Sequence, residues 1–199
     1  MSIKSLKLIF FIFSPTLLFG QDLDRNKGVY VTFNLQTTFH TKTTFEIVNN
    51  NTVYTYEPQE AVTSTSAYSF ELGYFVLPKK LALGVAVSIE SNSTFGVAYL
   101  PYFLNLKYLL SPDRNTIFLV SDFGRIQGLF GNNATGAAFN FGIGKKLFFT
   151  NKLALNFAIV YSIRDIEYED VFNSVAFNIF ADRYLLNAHG LEIRLGLFF

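Results

Sequence analysis

The chain contains no cysteine. That excludes disulfides, cysteine-ligated zinc, a catalytic thiol and a lipidated N-terminal cysteine. Charge is scarce as well: 16% of the residues are Asp, Glu, Lys or Arg, against about 25% in soluble domains. That is too little to coat an aqueous surface. Sixteen basic residues face 15 acidic ones, so no basic excess marks a nucleic-acid partner. Beyond residue 20 there is no run of 18 apolar residues, and a membrane-spanning helix needs about 20. What the chain has in excess is rings, 24 Phe and 11 Tyr. That much ring surface must be buried in protein or placed in lipid.

The first twenty residues, MSIKSLKLIFFIFSPTLLFG, form a separate unit. Lys4 and Lys7 come first, then an apolar stretch from Leu8 to Phe19, then Gly20 before the polar Gln21 and Asp22. This is the layout of a secretory signal peptide, too short in its apolar part for an anchor. It divides the chain into a leader at 1–20 and one domain at 21–199. Without Lys4 and Lys7, 14 basic residues remain against 15 acidic ones, a net charge of −1.

The domain alternates with period two in eight segments of about ten residues: Gly28–Phe39, Ala67–Leu77, Leu81–Glu90, Val97–Leu110, Thr116–Arg125, Gly136–Leu147, Leu153–Arg164 and Gly190–Phe199. Ten residues is the length of a tilted strand across a bilayer. The connections LPKK, SPDRN and TNK are tight and polar, whereas 40–63, 126–135 and 165–189 are long and are expected to be loops. Short turns on one rim and long loops on the other, with both termini at the short-turn rim, is the layout of an outer-membrane barrel. The expected fold is therefore all-β, an eight-stranded antiparallel up-and-down transmembrane β-barrel.

Which face meets which solvent decides between a soluble and a membrane barrel. One face of each segment is Leu, Val, Ile, Phe or Tyr. The other is mostly Gly, Ala, Ser and Asn, a poor aqueous surface and a good lining for a narrow lumen. The large face is therefore assigned to lipid. Rings near segment ends (Tyr68, Tyr74, Tyr99, Tyr102, Tyr108, Tyr161, Phe148, Phe149 and Phe199) are assigned to the headgroup boundaries.

The stretches SFELGYFVLPKKLALGVAVS and FNFGIGKKLFFTNKLALNFAIVYS share one plan, a Gly-containing strand, a turn with Lys, then KLAL and another strand. With the ending HGLEIRLGLFF, they resemble the small outer-membrane β-barrel family of Gram-negative bacteria, with an OmpA-like or OmpX-like transmembrane domain, over about Gly28–Phe199. The resemblance implies outer-membrane localisation, outer-membrane lipid and the barrel-assembly machinery as partners, and Phe199 as the assembly signal.

Inward parity collects Glu71, Asp122, Glu192 and Arg194 near mid-height, with Lys107 lower and Glu90 and Arg164 nearer the loop rim. Charges in so narrow a lumen must pair or be hydrated, so these residues are expected to form a polar network filling the barrel. His40 and His189, on the first and last strands, become neighbours on closure and could form a rim site with Asp165 or Glu192. Neither is in a His-x-Ser pattern, and no phosphate loop, metal-ligand spacing or cofactor motif is present. The expected function is non-enzymatic, a structural or loop-mediated binding role for an extracellular ligand that the sequence does not name. The alternatives are a narrow channel for small or apolar solutes, and a lipid-modifying enzyme.

Overall fold

β-branched and aromatic residues alternating with small polar ones suit a pleated strand, whose side chains leave on opposite faces at every second residue. The computed structural model describes residues 26–49, 52–56, 64–92, 97–129, 133–150, 153–169 and 183–199. In it the pattern forms β1 (Gly28–Asn49), β2 (Thr52–Tyr56), β3 (Ser64–Leu77), β4 (Leu81–Asn92), β5 (Val97–Leu109), β6 (Ile117–Gly128), β7 (Asn133–Phe148), β8 (Ala154–Glu169) and β9 (Arg183–Phe198). The stretch 1–20, expected to be a leader, lies outside the described residues, as do parts of the segments expected to be loops.

Neighbouring strands are antiparallel in sequence order, and β1 pairs with β9. β1 and β3–β9 thus close an up-and-down barrel of eight strands. Among the described residues β2 pairs only with Phe45–Asn49 of β1, at the loop end of that strand. Closure gives the backbone polar groups of every barrel strand a partner without water, the condition for spanning a bilayer.

The register fixes the barrel's shape. One row leaves β1 at Thr32 and passes Glu71, Ala86, Phe103, Gly124, Ala138, Arg164 and Ala188 before meeting β1 again at Thr43. It has climbed eleven residues along β1, one of them a bulge between His40 and Lys42. The stagger is therefore ten over eight strands, which tilts the strands by about 40°.

Described parts of 40–63, 165–189 and 126–135, all expected to be loops, are strand. β1 continues ten residues past Phe39, and β8 and β9 run to Glu169 and from Arg183. The barrel wall therefore rises beyond the apolar band on β1, β8 and β9. The bulge explains the first difference. It puts two residues of β1 opposite one of β9 and shifts the side-chain phase, so a strict period-two pattern ends there.

Outward faces are apolar: Leu35, Val85, Ile89, Leu104 and Phe123 are each more than half exposed. Inward faces are buried. Lumen glycines make room for rings. A Cβ on Gly73 would lie 2.2 Å from Cζ of Tyr30, and one on Gly144 would lie 2.4 Å from Cζ of Phe118. Tyr68, Tyr74, Tyr102, Tyr108, Phe149 and Phe199 are on the exposed outer face. Tyr99 and Phe148 are not, contrary to their assignment to the headgroup boundaries. Tyr99 shares the inward parity of Phe103 and is buried, and Phe148 packs partly buried beside Phe198. Position near a strand end sets depth, whereas parity sets the face.

Candidate functional site: the lumen

The lumen divides into three levels. At the short-turn mouth, Tyr30, Phe75, Phe118 and Phe198 pack into an apolar floor. Lys146 enters this floor. Its Nζ lies 3.6 Å from the centre of the Phe198 ring, 5.1 Å from that of Phe75 and 5.8 Å from that of Phe148, positions where ring quadrupoles attract a cation. It donates to Asn26 Oδ1 at 2.9 Å. Asn26, in a left-handed conformation with φ 45°, also donates to the carbonyl of Asp113 and accepts from the Lys79 amide at 2.8 Å. It thereby ties two of the short turns to the mouth.

Above the floor, Lys107 Nζ donates to both oxygens of Glu71 at 2.7 and 2.6 Å, and the Tyr30 hydroxyl donates to Glu71 Oε1 at 2.7 Å. Next, Arg194 pairs with Asp122 at 2.6 Å and also with Glu192. Asn105 and Asn140 donate to the two oxygens of Asp122. Arg164 meets Glu90 at 3.0 Å and Glu192 at 3.7 Å, and donates to Asn140 Oδ1 at 2.6 Å. Asp122, Arg194, Glu192, Arg164 and Glu90 are therefore one connected chain of alternating charge. Among the described residues, counting Lys107 and Lys146, the four bases of this lumen match its four acids. Such balance and hydrogen bonding offset the cost of moving the charges out of water. Beside the Glu71–Lys107 pair lies a cavity of about 20 Å³, lined by Asn34, Asn156 and Arg194 among others. That is room for one water molecule.

Above Arg164 the lumen turns apolar. Tyr99, Ile126, Ile166, Tyr168, Tyr184 and Leu186 point inward and are buried. On β8 and β9 the outward positions at this height are Asp165, Glu167, Arg183 and Asn187, with Leu185 half-buried among them as the one apolar residue. The apolar face has thus changed sides: lower down it points out, and beyond the band it points in. A wall that leaves lipid for water requires this inversion.

The structure places Glu71, Lys107, Asp122, Glu192 and Arg194 together inside the barrel. Lys146 and Asn26 also belong to the lumen and were not among the expected residues. Lys146 shares the parity of Gly142 and Gly144, which would have put it inside. Asn26 carries no sequence signal. His40 and His189 form no common rim site. His40 is buried in the lumen and shares a hydrogen bond with Thr65 at 2.8 Å. His189 is on the outer face, 3.0 Å from the Tyr161 hydroxyl. His40 has the inward parity of β1 and His189 the outward parity of β9, so the wall separates them. Asp165 is also outside, and Glu192 is held by the arginines.

A closed eight-stranded barrel with an apolar exterior and an ion-paired interior is a transmembrane β-barrel of the outer-membrane kind. Among solved structures the chain is similar to the crystal structure of the outer membrane protein OprG from Pseudomonas aeruginosa. The TM-score is 0.55 at 10% identity, over 89% of this chain and 98% of that one. At that identity the likeness is one of fold. No protein-family model matches the chain, and no curated protein matches it in sequence.

Proposed function

We propose that the chain is an integral protein of the bacterial outer membrane, a non-enzymatic barrel closed to solute flow that presents its raised β1, β8 and β9 wall for binding. The observation that carries this reading is the charged chain across the lumen. Its members are held by one another and by Asn105 and Asn140, and the cavity beside it holds no more than a water. Opening a path would separate several buried ion pairs at once, at a cost of several kcal/mol each. The partners proposed for this protein are outer-membrane lipid and the assembly machinery, with Phe199 as the signal the machinery reads.

The test is reconstitution into planar bilayers. Insertion is checked by heat-modifiable gel migration, which reports barrel closure. A folded protein that gives no steady conductance supports the closed reading. Reproducible openings would replace it with the narrow channel.

A further inference from the structure

The rim of short turns is basic. Among the described residues outside the lumen, Lys27, Lys79, Lys80, Arg114 and Lys145 lie at this end of the barrel against a single acid, Asp113. The outer wall above the band carries both signs, with Lys42, Arg125 and Arg183 set against Glu46, Asp165 and Glu167. Arg114 is engaged, its guanidinium over the Phe148 ring and donating to the Thr150 carbonyl. Lys79, Lys80 and Lys145 are exposed and form no ion pair among the described residues. They are spread round the barrel, two in the β3–β4 turn and one on β7.

These lysines adjoin the apolar band. Lys80 Nζ lies 6.0 Å from the ring centre of the outward Tyr108. Lys145 is on the outer face between Ile117 and Phe157, both 43% exposed. It is three residues from the end of β7, about 8 Å along the barrel axis at this tilt. A lysine stem covers most of that distance and carries its ammonium to the headgroup level. Leu77, Leu110 and Phe149, each more than half exposed, continue the apolar band down to the basic turns. A partner that covers both must offer an apolar body above and an anionic head below.

We propose that this rim is a collar for anionic phospholipid headgroups in the leaflet that the short turns face. The proposal rests on the membrane reading above. A soluble acidic polymer would match the charge and leave the adjoining apolar surface uncovered.

The test uses the full-length mature barrel in vesicles of phosphatidylcholine mixed with phosphatidylglycerol. Electron spin resonance compares spin-labelled forms of the two lipids. Absence of any motionally restricted lipid would defeat the membrane reading itself. Restricted lipid without a preference would defeat only the collar. The expected result is a preference for the glycerol lipid that falls as salt rises. Substituting Lys79→Asn, Lys80→Gln and Lys145→Gln should remove it, at most about fivefold per lysine. Asn keeps the left-handed backbone found at Lys79, φ 61°. Heat-modifiable migration shows that the variant folds, and the salt titration of the unaltered protein tests the collar if it does not. A preference unchanged by salt or by the substitutions would overturn the proposal. So would binding to isolated cell-wall sacculi that the variant loses while its lipid preference stays.

Discussion

Removing Glu71 tests whether the lumen is closed. Its side chain is 4% exposed and that of Lys107 is 10% exposed. Glu71 accepts two bonds from Lys107 and one from Tyr30. Glu71→Ala leaves a buried ammonium without its counter-charge, which costs about 3–5 kcal/mol. The neighbouring cavity admits one water, which puts the expected value near the low end, about 3 kcal/mol. Lys107→Met strands the carboxylate instead and should cost about as much. The double variant removes both charges and should cost far less than the sum, with a coupling of at least about 2 kcal/mol. If the lumen were an open aqueous pore, the same pair would be solvent-screened and worth about 0–1 kcal/mol. Urea unfolding from phospholipid vesicles measures all four proteins. The readouts are far-ultraviolet circular dichroism and gel migration, since the chain has no tryptophan. A coupling below about 1 kcal/mol would refute the closed lumen.

Three further outcomes follow from the geometry. Gly73→Ala places a methyl 2.2 Å from the Tyr30 ring, which is stacked on Phe198 and bonded to Glu71. It should lower stability by about 1–3 kcal/mol by overpacking, and an unchanged urea midpoint would contradict the packing. Val85→Lys, on the outer face at a position 60% exposed, should cost about 2–4 kcal/mol in vesicles, and a negligible cost would mean that this face does not meet lipid. Phe199→Ala removes a ring beside Phe33 while keeping the backbone bonds to Val31. Folding in detergent should persist and the heat-modifiable fraction in cell envelopes should fall; equal amounts in both would remove Phe199 as an assembly signal.

The barrel was legible where lipid and lumen differ most. Along β3 and β4, large apolar residues alternate with small or polar ones, and the burial follows that alternation apart from the inward Phe75 ring, the exposed end at Leu77 and the half-buried Ala86. The pattern failed where the solvents change. In β9 the inward Tyr184 and Leu186 are apolar and the outward Arg183 and Asn187, either side of a half-buried Leu185, are polar, largely the reverse of Leu191–Leu197 below. A reader following one apolar face therefore loses the strand at the boundary. On β1 the bulge adds a second phase change. The lumen charges were legible by parity alone. Their pairing was not, because Glu90 and Arg164 meet across 74 residues of sequence. Asn26 was hidden for another reason: it works from outside the strands, through a left-handed turn.

The placement of the barrel in lipid turns on one property of β4: its odd-numbered residues touch acyl chains and its even-numbered ones face the lumen. The cysteine-free chain allows a scan of single spin-labelled cysteines along Leu81–Asn92 in vesicles, read by accessibility to oxygen and to a water-soluble nickel complex. Oxygen accessibility should peak at positions 83, 85, 87 and 89 and fall at 82, 84, 86 and 88, with nickel accessibility low throughout. High nickel accessibility at the odd positions, or an oxygen profile of the opposite phase, would contradict it.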